Sequence, residues 1–246
     1  MKKFFIVSLF LAIVAAAGVV YNTVNAANVN KNIVNGSIRV GEFDKIDVEF
    51  FTVEVNIGAF DDQVHYEAPK NIAEKLEIRV KNKKLKIGLK ESLNGNIRGN
   101  KTKIRVTVPS LEEITTQVGA NVSVNGNNVC PSFKGETETG ASIKLQGLEA
   151  ANSVELSSET GASIKVQNVK TSHLEIECET GSSIKVSSGK AITCKYEAET
   201  AGCIKAENVA VAQGEAEAET GASIHCNVAN LRSSTETGGS VSNEAE

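Results

Sequence analysis

The stretch Glu159-Thr-Gly-Ala-Ser-Ile-Lys-Val166 decides the fold, because it does not occur once. It returns as Glu138-Thr-Gly-Ala-Ser-Ile-Lys-Leu145, Glu179-Thr-Gly-Ser-Ser-Ile-Lys-Val186, Glu199-Thr-Ala-Gly-Cys-Ile-Lys-Ala206 and Glu219-Thr-Gly-Ala-Ser-Ile-His-Cys226. A weaker precursor, Gln117-Val-Gly-Ala-Asn-Val-Ser-Val124, precedes the series, and a degraded copy, Glu236-Thr-Gly-Gly-Ser-Val-Ser-Asn243, closes it. The opening residues lie 21, 21, 20, 20, 20 and 17 positions apart. A fixed period in this range marks a solenoid, in which each repeat buries its apolar face only against its neighbours.

Alternation inside the repeat selects the kind of solenoid. In Leu174-Glu-Ile-Glu-Cys-Glu179 the apolar residues share one side and the carboxylates the other; Ser183-Ile-Lys-Val186 alternates in the same way. Period two is the mark of a half-buried strand, and no helical period occurs in this half. The LxxLxLxxN spacing of a leucine-rich repeat is absent. The reading is an all-β chain wound as a parallel β-helix with coils of 20 to 21 residues. Coils would then stack at the strand spacing of about 4.8 Å, and equivalent residues would form columns. The expected inward columns are Val122, Ile143, Ile164, Ile184, Ile204, Ile224 and Val241, and beside them Val124, Leu145, Val166, Val186, Ala206 and Cys226. The recurring glycines mark a corner, which Ala201-Gly202 would displace by one place.

Two outward columns are charged. Glu138, Glu159, Glu179, Glu199, Glu219 and Glu236 form one; Lys144, Lys165, Lys185 and Lys205, ended by His225, form the other. Like charges one rung apart repel by roughly 0.9 kcal/mol in water before screening, which a solvated ladder tolerates and a buried one does not. Two readings follow. The columns are a plain solvated face, with Glu–Lys pairing across the corner, or they are binding ladders for a repetitive ligand.

Residues 27–116 read as irregular β coils that cap the solenoid, and 117–246 as its regular repeats. Strand patterns occur at Lys45–Phe50, Thr52–Ile57, Gln63–Tyr66, Leu76–Val80, Leu85–Leu89, Lys103–Val108 and Glu113–Val118, with a short helical turn over Asn71–Lys75 and a loop over Glu91–Lys101. A cap is expected because an open solenoid end is a free strand edge. Ahead of these, Lys2 and Lys3, the apolar run Phe4–Val20 and the small-residue site Val24-Asn25-Ala26 read as a secretory signal peptide over 1–26. Export to the cell surface, the periplasm or the medium is therefore expected, with no membrane span after cleavage.

Three segments, Phe43-Asp-Lys-Ile-Asp-Val48, Leu76-Glu-Ile-Arg-Val-Lys-Asn-Lys-Lys-Leu-Lys-Ile-Gly-Leu89 and Ile104-Arg-Val-Thr-Val-Pro-Ser-Leu-Glu-Glu-Ile114, run ahead of the Gly-Ala repeats in an order that resembles the head GIN domain family of autotransporter adhesins of the Bacteroidetes. The resemblance spans roughly Phe43 to the C-terminus and rests on structural motifs. It implies a right-handed β-helix on the cell surface or in the envelope, and an adhesin role. It implies no catalytic residues. The very regular Glu-Thr-Gly-Ala-Ser-Ile-Lys repeat departs from the family pattern.

Composition narrows the partners. The chain carries 26 Lys and Arg against 30 Asp and Glu. The charge is unevenly spread: Lys70–Arg105 holds twelve Lys and Arg against three Glu, and Cys130–Glu246 nine against seventeen Glu. An exported acidic chain is a poor nucleic-acid partner, but such asymmetry suits a polyanionic glycan, a surface protein, or a second copy of itself. Cys130, Cys178, Cys194, Cys203 and Cys226 are odd in number and lack CxxC spacing, and are expected as free, mostly buried thiols.

Chemistry is thinly represented. His65, His173 and His225 are far apart in sequence, Asp occurs only at 44, 47, 61 and 62, and no Gly-x-Ser-x-Gly, HExxH or phosphate loop is present. The glutamates lie in ladders without the distinct carboxylate pair that glycoside hydrolysis needs. With no Trp and three Tyr, a deep sugar groove has no stacking platform. The expected function is a non-enzymatic, adhesin-like surface module without cofactor, metal or catalytic residues. A self-associating structural envelope protein is the alternative, and a polysaccharide-active enzyme the more distant one.

Overall fold

A computed structural model describes residues 33–90 and 101–245. The segment 1–26, expected to be a signal peptide, and the loop expected over Glu91–Lys101, except Lys101, lie outside the described residues. The chain is a β-solenoid of about seven turns, built from parallel stacked coils.

Each regular coil has three walls. The first stacks Glu113–Gln117 and Phe133–Thr137 with 153–158, 173–178, 193–198, 213–218 and 230–235, all parallel. The second stacks 121–125, 142–145, Ser163–Val166, Ser183–Val186, 203–205, 223–226 and Ser240–Asn243. The third is shorter and runs through 127–130, 147–150, 169–171, 189–191 and 209–211. The isoleucine column stands in register from Val122 to Val241, and its members from Val122 to Ile224 are at most 1% exposed. This is what period-two patterning demands: branched apolar side chains fill the bore and polar ones face water.

The corner between the first and second walls is the Glu-Thr-Gly-Ala phrase itself. In Glu138–Ala141 both central residues are left-handed, Thr139 at φ 46° and Gly140 at φ 68°, and Ala141 N donates to Glu138 O at 3.2 Å. Two positive φ values in a four-residue turn are the type I′ pattern. Successive corners are tied together, since Gly140 N donates to Thr160 O and Gly161 N to Thr180 O, both at 3.1 Å. At Glu199-Thr-Ala-Gly202 the corner keeps its place and is not displaced as the inverted Ala-Gly order suggests. Ala201 takes the left-handed position at φ 61°, and its N–H bonds Thr220 O in register. The inverted glycine serves packing instead: a Cβ on Gly202 would stand 2.5 Å from Cys178 O.

Side-chain sizes in the bore compensate from coil to coil. Tyr196, 1% exposed, stands opposite Ala216 in the next rung, and Cys194 opposite Gly214, where a Cβ would lie 2.2 Å from the Cys194 Sγ. All five cysteines are free, and only Cys203 is not fully buried. Burial pushes the thiols of Cys130, Cys194 and Cys226 up to about 11 and that of Cys178 to about 12, so they behave as small apolar side chains and not as nucleophiles.

The N-terminal coils do not stack in chain order. Lys45–Glu49 pairs in parallel with both Lys84–Leu89 and Glu113–Gln117, and Thr52–Ile57 with both Lys103–Val108 and 121–125. The rung formed by 45–57 therefore lies between the later rung of 84–108 and the rung starting at Glu113. Outside 84–108 the chain turns antiparallel. Leu76–Lys81 pairs with Lys84–Leu89, and Gln63–Pro69 pairs with Lys103–Val108 and with Ile33–Arg39. A one-turn helix, Lys70–Ala73, buries Ile72 between them. At the other end, the Asn243 side chain stands in for a further strand: Oδ1 accepts from Val228 N and Nδ2 donates to Val228 O, both at 2.9 Å.

Candidate binding faces of the solenoid

The lysine ladder is formed as the repeats imply. Lys144, Lys165, Lys185 and Lys205 occupy one register position of the second wall, followed by His225, and all four lysines are exposed. They point outward because their neighbours on either side in sequence, such as Ile164 and Val166 around Lys165, are fully buried. The outward positions beside them are neutral over three consecutive rungs. Ser142, Lys144 and Gln146 in one rung are followed by Ser163, Lys165 and Gln167 in the next, and by Ser183, Lys185 and Ser187 in a third. Asn125 and Gln146 are chained, Gln146 Nε2 donating to Asn125 Oδ1 at 3.4 Å, while Gln146 Oε1 accepts from Gly126 N at 3.0 Å. An open groove of about 420 Å³ runs along this wall between the lysines and the amides.

Glu138, Glu159, Glu179, Glu199 and Glu219 each open a corner turn, so they edge the first wall. Partial burial, then the charges of Glu138, Glu177 and Glu136, raise the Glu159 carboxyl above the usual range; burial with Glu159 and Glu199 does the same to Glu179. Among the described residues no ion pair joins this column to the lysine column, so the expected Glu–Lys pairing across the corner is not formed. The corner separates them: two left-handed residues turn the chain from one wall onto the next, and the two columns project from different walls.

The structure adds a second acidic column, formed by Glu136, Glu177, Glu197 and Glu217 and interrupted by Ser157. Burial, followed by Glu179, Glu197 and Glu199, raises Glu177, against the opposing pull of Lys195. The signal for this column was present in the sequence as the recurring Glu-x-Glu of 177–179, 197–199 and 217–219. A third outward column is mixed. Lys195 bridges Glu197 at 2.7 Å and Glu175 at 3.5 Å, and Lys134 meets Glu136 at 2.6 Å.

The histidines stay apart. His65 meets Asp61 at 3.3 Å, His173 Nδ1 lies 2.9 Å from Thr193 Oγ1, and His225 ends the lysine column. Among the described residues no cluster of three or more His, Cys, Asp and Glu side chains is arranged to hold a metal ion. No helix among them is long and apolar enough to cross a membrane. What the geometry supplies is extended, periodic, charged walls.

Solved structures share this architecture. The "putative adhesin" of Parabacteroides merdae superposes with a TM-score of 0.72 at 18% identity, covering 87% of this chain and 97% of its own. A "putative adhesin" of Parabacteroides distasonis gives 0.70 at 17%, covering 87% and 94%. A "putative lipid binding protein" of the same species gives 0.62 at 16%, covering 87% and 97%. At these identities the likeness is one of fold. No curated protein matches the sequence. Residues 42–244 match the family described as "Putative auto-transporter adhesin, head GIN domain", and the chain belongs to that family.

Proposed function

We propose that this chain is an exported, non-enzymatic binding module of the cell surface or envelope, adhesin-like in the sense that it holds a partner along an extended wall. The observation that carries the reading is the pair of unpaired, single-sign columns on adjacent walls, one of lysines and one of glutamates. Ordinary surfaces intersperse charges of both signs. Here, among the described residues, four lysines stack without a carboxylate partner, a cost in self-repulsion that a partner of opposite charge would relieve. The family description supports an adhesive role. The signal-like segment at 1–26 supports export.

The test is protease or antibody accessibility of the protein on intact cells, with lysed cells as control. Cleavage or labelling of intact cells is the expected result. Protection until lysis would place the protein inside the envelope and end the direct adhesive reading. A second reading, self-association, is favoured by one observation: the two columns have opposite sign and the same rung spacing. It predicts oligomers that light scattering finds at low salt and loses at high salt.

A further inference from the structure

We propose that the second wall is a binding site for a linear acidic polysaccharide, with carboxylates on the lysine column and hydroxyls on the rows beside it. This deepens the binding-module reading above by naming a ligand class. The wall offers one cation per rung, rising at about 4.8 Å, a step comparable to the length of one pyranose unit. Four lysines thus present a cationic row about 14 Å long, running along the solenoid axis and across the strands.

The flanking rows give the chemical class. From the rung of Ser142 to that of Ser187, the outward positions other than lysine hold serines and glutamines, with no carboxylate. Amides and hydroxyls both donate and accept, which suits sugar hydroxyls and carboxylates alike. Gln146 is already oriented by Asn125 and Gly126, and Asn125 by Asn56 and Glu54, whose carboxylate marks the N-terminal limit of the site. The groove between the amides and the lysines gives a polymer somewhere to lie. No aromatic residue lines it, so recognition is polar and salt-sensitive and does not use ring stacking.

The acidic wall of a second copy fits less well. Its carboxylates come in two adjacent columns, Glu159–Glu179–Glu199 and Glu177–Glu197–Glu217. The lysine wall has a single cationic column. Docking would leave the second acidic column against glutamine and serine, desolvated without a counter-charge, which is costly.

The experiment is titration of the purified chain with polygalacturonate, with dextran and polyglutamate as controls, at low and high salt. Polygalacturonate should bind at low salt and dextran should not. Polyglutamate, which has the charge but not the hydroxyls, should bind several-fold more weakly. The exposed triple variant Lys144→Gln/Lys165→Gln/Lys185→Gln should weaken polygalacturonate binding by about tenfold, given ordinary strengths for three exposed ion pairs. Its circular dichroism and melting should show an intact fold. Gln146→Ala/Gln167→Ala should weaken polygalacturonate and leave polyglutamate unchanged. No binding of polygalacturonate at low salt, equal affinity for polyglutamate, or indifference to the triple variant would overturn the proposal. So would low-salt oligomers of the chain alone that vanish in the triple variant, which would assign the wall to a second copy. Failure here is separable from failure of the surface reading: a chain hidden inside the envelope could still bind polygalacturonate, and an exposed one could fail to.

Discussion

On the first wall, Lys84, Lys45 and Glu113 stand in one column, and Glu113 holds both lysines, at 2.5 Å and 3.3 Å. Beside them Lys86 meets Glu49 at 3.6 Å. Three rungs beyond that of Glu113, Glu179 has carboxylates above and below it, Glu159 and Glu199. The titration of these glutamates divides in the same way, while burial raises Asp47 in the N-terminal rungs as well. Partial burial pushes Glu113 up, but the hydrogen bond and charge of Lys84, then those of Lys45, outweigh it and hold the carboxyl below the usual range. Glu159, Glu177 and Glu179 lie above it. The N-terminal coils, threaded out of order, use outward charges to fix which rung lies beside which. The regular repeats also pair opposite charges across rungs, in Glu149–Lys170, Glu175–Lys195 and Glu215–Arg232, but their inward columns already repeat in register, and among the described residues their lysine and corner-glutamate columns take no part in that pairing.

If inward packing carries the repeats, its loss should give the largest effect. Tyr196→Ala should cost about 3–5 kcal/mol in denaturant unfolding, because Gly214 and Ala216 offer nothing to fill the cavity. Tyr196→Phe should change stability by less than about 1 kcal/mol, since the only partner beside the buried Tyr196 Oη among the described residues is the weakly bonding thiol of Cys194. A small loss in Tyr196→Ala would show that the repeats are held by something other than their bore.

Charge removal should give opposite signs in the two regions. Glu113→Gln should destabilise by about 1 kcal/mol, a value discounted for partial exposure. Glu177→Gln should stabilise by a few tenths of a kcal/mol, as it removes a carboxylate crowded by three others. The pH dependence follows the same division. Glu159, Glu177 and Glu179 have folded-state values above their unfolded ones, so the folded chain holds more protons in that interval. Stability from these groups is fully present below about pH 4.5 and is lost as pH rises through the raised values. Glu113 has a lowered value, so its contribution is present above about pH 4.5 and is lost as pH falls through it. Region-resolved hydrogen exchange, corrected for intrinsic rates, should show the repeats tightening more than the N-terminal rungs as pH falls from 7 to about 4.5, because three raised glutamates act in the repeats against the raised Asp47 in the rungs. Uniform behaviour across both regions would erase the distinction drawn here.

The repeats were legible because a residue such as Ile164 has the same neighbours in every coil, so one phrase read correctly fixes all of them. The lysine column came with it. The threading of the N-terminal coils was not legible. Thr52–Ile57 and Lys103–Val108 alternate alike, and nothing local to either says that one lies inside the other; that order is set by contacts some fifty residues apart in the chain, as in Arg105 with Glu54. The absence of Glu–Lys pairing was hidden for another reason. Alternation reports that both side chains face outward, but the angle between walls is set by the two left-handed corner residues, which alternation does not describe.

Those corners carry an effect as small as that of a single crowded carboxylate. Thr139, Thr160, Thr180, Thr200, Thr220 and Thr237 all have positive φ, between 25° and 46°, a region that β-branched residues rarely enter. Asparagine is the residue that type I′ turns favour at that position. Ala201 occupies the left-handed site that glycine fills in the other repeats. Ala201→Gly should therefore raise stability by about 0.5 kcal/mol, the relief of strain being partly offset by the greater freedom of glycine in the unfolded chain. Thr160→Asn should gain a similar amount. Gly202→Ala should lose stability, because its Cβ would press on Cys178 O, even though alanine sits at the equivalent position in the corners at Ala141, Ala162 and Ala222. The double variant Ala201→Gly/Gly202→Ala then asks whether this corner can relax to the geometry of the others. If melting shows the double variant recovering to the level of Ala201→Gly alone, the corners are interchangeable units stacked on a uniform bore. If it remains as low as Gly202→Ala, the close approach to Cys178 is a fixed feature of this coil, and the repeats are less equivalent than their sequences.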